Sequence, residues 1–239
     1  MIDHFVYESD DFKETLQKRV HQAGEIRFLH SIATPGMHVM EIGANTGVTV
    51  VAIAKAIGDR GHVYAFEPVR EYYTTLLRNL SRNAVTNVSA YNLAVSSRTG
   101  RIPFYKREGG SSGIVPATSG EMLWVEATTV TEFLTVEEIG NIDLLNLDCE
   151  GSELFVLQGA QATLQTHAPH IFCELHHRCL DELGQSADEV IGYLTYLGYS
   201  VRLLQVENLE APVGVETCTH VYATKRSPLC ANNQQGEHR

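Results

Sequence analysis

Four apolar runs in this chain end in carboxylates. They are Val39-Met40-Glu41-Ile42-Gly43, Tyr64-Ala65-Phe66-Glu67-Pro68, Leu144-Leu145-Asn146-Leu147-Asp148-Cys149-Glu150 and Ile171-Phe172-Cys173-Glu174-Leu175-His176-His177. Such side chains can take up protons, accept hydrogen bonds from hydroxyls, or hold hard cations. After the first run comes Ala44-Asn45-Thr46-Gly47, a bend poor in side chains that opens a helix near Val48. Twenty residues beyond Gly47, Glu67 closes the second run. A glycine bend at one strand tip and a carboxylate at its neighbour's tip form a receptacle for a ribose-bearing cofactor. The glycines let the backbone approach the ligand, and the acid accepts hydrogen bonds from the ribose hydroxyls.

Spacing narrows the cofactor. A dinucleotide fingerprint needs glycine at the first, third and sixth positions of the bend. Here Gly43 fills the first, but Asn45 and Val48 hold the others, and Glu41 would repel a pyrophosphate. The run Glu41-x-Gly43-x-Asn45-x-Gly47 instead resembles motif I of S-adenosylmethionine-dependent methyltransferases, whose ligand carries an ammonium and a sulfonium and no phosphate. Two competitors remain: a nicotinamide-dependent oxidoreductase, which fails at Asn45, and a cofactor-binding module without catalysis, in which the acids only hold helices.

The candidate proton acceptors are Asp148, Glu150, Glu174, His176 and His177. His176 lies two residues beyond Glu174, on its side of the strand, and is expected in the crevice; His177 should face away. Deprotonating an alcohol calls for a histidine poised near neutrality or a metal-bound alkoxide. Asp148 and Glu174, with Glu150, make an oxygen-rich set that suits Mg2+.

Elements must bring these tips together. Strands are expected at His38–Ile42, His62–Phe66, Val88–Leu93, Ile142–Leu147, Ile171–Cys173, Val201–Leu204 and His220–Thr224, the last two antiparallel. Helices are expected at Val48–Ile57, after Glu67 with Tyr72, Leu76 and Leu80 in one stripe widened by Tyr73 and Leu77, at Val130–Ile139, at Ser152–Thr166, and after a capping box at Ser186 and Glu189. Alternating strands and helices predict an α/β fold, a doubly wound Rossmann-like sheet with right-handed crossovers and an antiparallel last strand. Every acidic tip then faces one crevice beyond the strands' carboxyl ends.

Residues 1–35 read as an N-terminal helical cap, broken near Ala23-Gly24, and 36–226 as the main domain. Residues 97–130 read as a β-hairpin insertion between the third and fourth core strands. It is centred on the Gly- and Ser-rich stretch 109–113 and could cover the acceptor. Trp124 and Tyr105 are candidates for its pocket wall, or for packing on the core. Lys106 or Arg107 could meet an anionic acceptor group. The polar tail 227–239 is expected to be disordered.

A formal net charge of −11 over 239 residues argues against a nucleic-acid partner. No apolar run is long enough to span a membrane, and no secretory signal is visible. The five cysteines form no Cys-x-x-Cys pair. A cytoplasmic location is expected, and a homodimer would be unsurprising.

In order, Glu41-Ile-Gly-Ala-Asn-Thr-Gly47, Ala65-Phe-Glu-Pro68, Leu77-Arg-Asn-Leu80, Asn92-Leu-Ala94, Asp148-Cys-Glu-Gly-Ser-Glu153, Leu157-Gln-Gly-Ala160 and Glu174-Leu-His176 resemble the FkbM-type S-adenosylmethionine-dependent methyltransferases. The resemblance implies a class I methyltransferase sheet and transfer of a methyl group to a small-molecule hydroxyl, in natural-product or sugar tailoring; a nitrogen or carboxylate acceptor stays open. It implies that Glu41, Gly43, Asn45 and Gly47 line the methionine half of the cofactor, and Asp148 is counted among the cofactor-binding residues. Glu67 would take the ribose, and Asn92 to Ala94 would border the adenine. Catalysis would fall to Asp148, Glu150, Glu174 and His176. Glu25 matches a glutamate seen near the cofactor, although a solvated helix carboxylate is the commoner case. One departure is Asn146, where the family usually has lysine.

Overall fold

The computed structural model describes residues 20–107, 112–116, 120–209, 211 and 213–225. The expectations for residues 1–19, 109–111 and 227–239 lie outside them. Helix α1 (Val20–Ile32) leads into β1 (His38–Ile42), α2 (Val48–Ile57), β2 (His62–Phe66), α3 (Arg70–Arg82) and β3 (Val88–Tyr91). Strands β4 (Ala94–Val95), β5 (Gly100–Lys106), β6 (Ser112–Gly113) and β7 (Glu121–Thr128) follow. The chain then runs through α4 (Val130–Val136), β8 (Leu144–Leu147), α5 (Glu153–Gly159), α6 (Gln161–Thr166), β9 (His170–Glu174) and α7 (His177–Glu182). It ends in α8 (Ala187–Tyr196), β10 (Ser200–Leu204) and β11 (His220–Thr224).

Among the described residues, seven strands form the main sheet in the order β10-β11-β9-β8-β1-β2-β3. Strands β3, β2, β1, β8 and β9 run parallel, and β11 is antiparallel to both neighbours. Apolar cores cover both faces. One gathers Phe66, Leu145, Leu157 and Val190, the other Phe28, Val50, Ile57, Leu76 and Phe172. Burial on both faces is why β8 reads as a continuous apolar run, and all four of its residues are buried. The register pairs Ile42 with Phe66 and with Leu147, and Leu147 with Cys173. The next residues, Gly43, Glu67, Asp148 and Glu174, therefore share one rim.

Several elements differ from expectation. Helix α1 runs through Gly24 unbroken, because a Cβ there would sit 2.2 Å from the Val206 carbonyl oxygen; the glycine serves close packing, not a break. The helix expected at Ser152–Thr166 is two, divided at Ala160, which caps both. Leu77 is 43% exposed and does not widen the apolar stripe of α3. The insertion is more than a hairpin. Strands β4, β7, β5 and β6 make a second four-stranded sheet among the described residues, with β5 and β7 antiparallel and β4 added in parallel. Its small core is Val69, Ala94, Ile102, Phe104, Val125 and Ala127. No helix among the described residues is long and apolar enough to cross a membrane.

Candidate active site

The rim opens into a pocket lined by both sheets. Gly43, Asn45, Glu67, Leu93, Ala94, Asp148, Cys149, Glu150 and Ser152 come from the strand tips. Tyr72 joins them from α3, and Ile102, Phe104, Ser112 and Ile114 come from the insertion.

The glycine bend is built for close approach. Gly43 has φ +92°, and a Cβ on it would fall 1.7 Å from the Asp148 carbonyl oxygen. Only glycine satisfies both conditions. Asn45 also has positive φ (47°), and its N–H donates to Glu67 Oε2 at 2.9 Å. Gly47 does not line the pocket. A Cβ there would meet Leu76 Cδ1 at 2.4 Å, so this glycine seats α3 against the bend. From α3, Asn79 Nδ2 donates to the Thr46 carbonyl at 2.8 Å and holds the bend's far side.

Glu41 and Glu67 are both buried. Glu41 lies beneath the bend, where Thr49 Oγ1 donates to its Oε1 at 2.5 Å and Asn146 Nδ2 to its Oε2 at 2.7 Å. Burial pushes its carboxyl up to about 7, against these two hydrogen bonds. Asn146, where the resemblance leads one to expect lysine, thus satisfies the carboxylate without neutralising it. Glu67 is also raised to about 7 by burial, with the Val69 and Asn45 N–H groups opposing. Val69 N–H donates to its Oε1 at 2.7 Å. Each Glu67 oxygen keeps a second lone pair for a further donor. Asn92 is placed differently from Ala94: its side chain is tied to the Glu67 and Pro68 carbonyls at 2.9 Å and it does not line the pocket.

Asp148, Glu150, Glu174 and His176 do converge. His176 Nε2 lies 3.5 Å from Asp148 Oδ1, 3.6 Å from Glu150 Oε2 and 3.8 Å from Glu174 Oε1. Its Nδ1–H donates to Glu153 Oε1 at 2.7 Å. Glu153 is fully buried, and its Oε1 also accepts the Gly151 N–H at 3.0 Å. Burial alone would lower the His176 pKa; the Glu153 hydrogen bond and the charges of Glu174 and Asp148 reverse this and hold it well above the usual value. These surroundings favour the imidazolium form of His176. Asp148 is raised well above the usual carboxylate range, first by burial and then by Glu174. His177 turns away, its Nε2 2.7 Å from the Cys218 carbonyl oxygen.

Four residues escaped the sequence reading. Glu153 orients His176; its signal was present as the third acid of Asp148-x-Glu150-x-x-Glu153. Thr49 and Asn79 each hold the bend. His220 is fully buried, with Nε2 3.9 Å from Glu25 Oε1. Glu25 itself is buried, at 3% exposure, rather than a solvated helix carboxylate. Trp124 is 56% exposed on the outside of the insertion, near the Arg101 guanidinium, so it neither lines the pocket nor packs on the core. Tyr105 is also outside the lining.

Known proteins share this fold. The model of the methyltransferase FkbM domain matches residues 41–201, a span holding the bend, the rim acids and the insertion. The chain belongs to this family. A curated relative, protein-L-isoaspartate O-methyltransferase of Methanothrix thermoacetophila, is 39% identical over 54 residues, 23% of this chain and 26% of its own length. An FkbM methyltransferase structure from Methylobacillus flagellatus KT superposes with TM-score 0.56 at 17% identity, covering 93% of this chain and 56% of that one. The O-methyltransferase TomG of Streptomyces achromogenes, solved with S-adenosylmethionine, gives 0.52 at 12% identity over 86% of this chain and 80% of its own. At such identities the structural likeness is one of fold. This FkbM-family chain spans about half the length of the Methylobacillus protein and about a quarter of the curated relative.

Proposed function

We propose that this chain is an S-adenosylmethionine-dependent methyltransferase acting on a hydroxyl of a small molecule. The observation that carries the reading is the Gly43 bend pressed on Asp148 beside the buried acid Glu67. A Cβ at Gly43 would collide with the Asp148 carbonyl, so the glycine lets the two strand tips close up at the pocket's edge. Gly43, Asn45, Glu67 and Ala94 would hold the cofactor. Bound there, it supplies an electrophilic methyl on a sulfonium, so the protein needs chiefly to align an oxygen and remove its proton.

Asp148 is the proton acceptor. It faces the pocket, and burial and then the charge of Glu174 hold its carboxyl above the usual carboxylate range. As the carbon–sulfur bond breaks and the thioether leaves, the acceptor hydroxyl's proton would pass to an Asp148 carboxylate oxygen. His176, itself locked by Glu153, opposes that rise and so favours the ionised form of Asp148. Asp148, Glu150 and His176 each offer a ligand atom within 4.8 Å of the others, a mixed nitrogen-and-oxygen set among the described residues. Mg2+ favours an all-oxygen octahedron, which this set does not offer. Turnover should accordingly not depend on added Mg2+.

Two steps test the reading. Mass spectrometry of the purified chain should find S-adenosylhomocysteine, or calorimetry should show its binding. A screen of hydroxylated metabolites against amines and carboxylic acids should then return a methyl ether. No affinity for either form of the cofactor would sink the proposal, and transfer only to nitrogen or a carboxylate would redirect it.

A further inference from the structure

Arg107, at the end of β5, reaches out of the insertion to α7. Its Nη1 lies 3.8 Å from Cys179 Sγ and its Nη2 3.9 Å from Glu182 Oε2, both on that helix. Nη2 also donates to the Val115 carbonyl at 3.2 Å, and the Arg107 N–H donates to Ser112 Oγ at 3.3 Å. Arg107, through its backbone N–H and its guanidinium, thus joins both sides of β6 to a helix of the main domain. It is only 21% exposed, unlike a solvated hairpin charge.

What lies between the joined parts is the catalytic bend. Strand β6 passes over Glu150 so closely that a Cβ on Gly113 would sit 2.7 Å from the Glu150 carbonyl oxygen. Beneath it, a Cβ on Gly151 would sit 2.8 Å from Cys179 Cβ. Both contacts are tighter than side chains tolerate. The three layers, β6, the Glu150-Gly151 bend and α7, are stacked without slack, and Glu150 holds positive φ (50°) in the middle. Residues in such conformations persist only where their surroundings over-determine them. The Glu150 carboxylate in turn lies 3.9 Å from Cys179 Sγ and 3.6 Å from His176 Nε2.

We propose that Arg107 is a positioning residue that clamps β6 and α7 onto the Glu150-Gly151 bend, fixing the roof of the acceptor chamber over the catalytic carboxylates. This rests on the proposed function for its meaning, since the roof is an acceptor roof only if the pocket binds the cofactor. The clamp itself stands on geometry alone.

Cys149, half-buried and lining the pocket beside this bend, reports on the clamp without a known acceptor. Labelling of the full chain with N-ethylmaleimide, followed by peptide mass spectrometry, reads its rate against that of Cys218, buried elsewhere. Arg107→Ala should speed Cys149 labelling about tenfold, as loss of a charged anchor permits, and leave Cys218 unchanged. Arg107→Lys, which keeps the charge but not the fork, should restore part of the protection; Glu182→Gln should cost less than Arg107→Ala. An unchanged Cys149 rate in a folded Arg107→Ala chain overturns the clamp, and so does a parallel rise at Cys218, which would mean general loosening. S-adenosylhomocysteine calorimetry on the unmutated chain separates the two claims: no binding there removes the methyltransferase reading and leaves the labelling result standing.

Discussion

Glu41 shows how a site residue can cost the fold stability. Its folded pKa of about 7 exceeds the ordinary 4.5, so between those values the folded chain holds a proton that the unfolded chain releases. Stability then falls as pH rises from about 4.5 to about 7, and the deficit is complete above that. Glu41→Gln removes the charge and keeps the shape. Asn146 Oδ1, a buried acceptor with no hydrogen-bond partner among the described residues, can receive the new amide if Asn146 flips. The variant should gain on the order of 2 kcal/mol at pH 8 and little at pH 5, read by urea unfolding at the two values. It should bind S-adenosylhomocysteine more weakly if Glu41 serves the cofactor's ammonium. Equal stabilisation at both pH values would show that Glu41 is not a strained carboxylate.

Asp148 makes the complementary case. Asp148→Asn should retain cofactor affinity within a few-fold and lose about 10²–10⁴ in turnover, the usual worth of a positioned base. Glu153→Gln removes the charge that holds His176 protonated. Turnover should fall and its pH profile should shift, while the affinity for S-adenosylhomocysteine, measured by calorimetry, stays constant. A Glu153→Gln chain with an unaltered pH profile would reduce this residue to packing. The acids were legible as residue types and strand-tip positions. Their protonation was not, because it depends on burial and on neighbours such as Glu174 and Thr49, brought close only by the fold.

At the scale of elements, local signals were most readable where local chemistry decides. Strands β1, β2 and β11 and helix α2 lie at the expected residues, and Ser186 with Glu189 forms the expected capping box on α8. Gly24 misled because an isolated glycine in a helical pattern reads as a break, whereas Val206, far along the chain, is what requires it. Trp124 misled for a related reason: strand alternation says which residues share a face, but not which face another layer covers. The same distinction yields opposite predictions for two substitutions. Trp124→Ala, at an exposed position, should change stability by no more than about 0.5 kcal/mol and leave cofactor binding intact. Gly43→Ala places a methyl group 1.7 Å from a backbone oxygen at positive φ and should abolish cofactor binding, with a loss of several kcal/mol or no folded chain at all. Thermal melts of both with and without S-adenosylhomocysteine would check the contrast.

For the molecule as a whole, the decisive feature is that the pocket joins two bodies with separate cores. The main sheet is sealed on both faces, whereas the insertion rests on a small cluster around Ile102, Phe104 and Val125. A unit with so little buried apolar surface should open locally at a lower free energy than the parallel strands. In amide hydrogen exchange, β5 and β7 should therefore exchange well ahead of β1 and β8 in the ligand-free chain. Ile102 and Phe104 wall the same pocket as Gly43 and Glu67, so a ligand bridging them must stabilise the weaker body selectively. S-adenosylhomocysteine at about a hundredfold excess over its dissociation constant contributes about 2.7 kcal/mol. Protection should appear chiefly in β5 and in the bend at Gly43 to Gly47, with β8 slowed only as far as global opening allows. Uniform protection across both sheets would instead make the insertion an integral part of one cooperative unit, its pocket-facing side chains fixed before any ligand arrives.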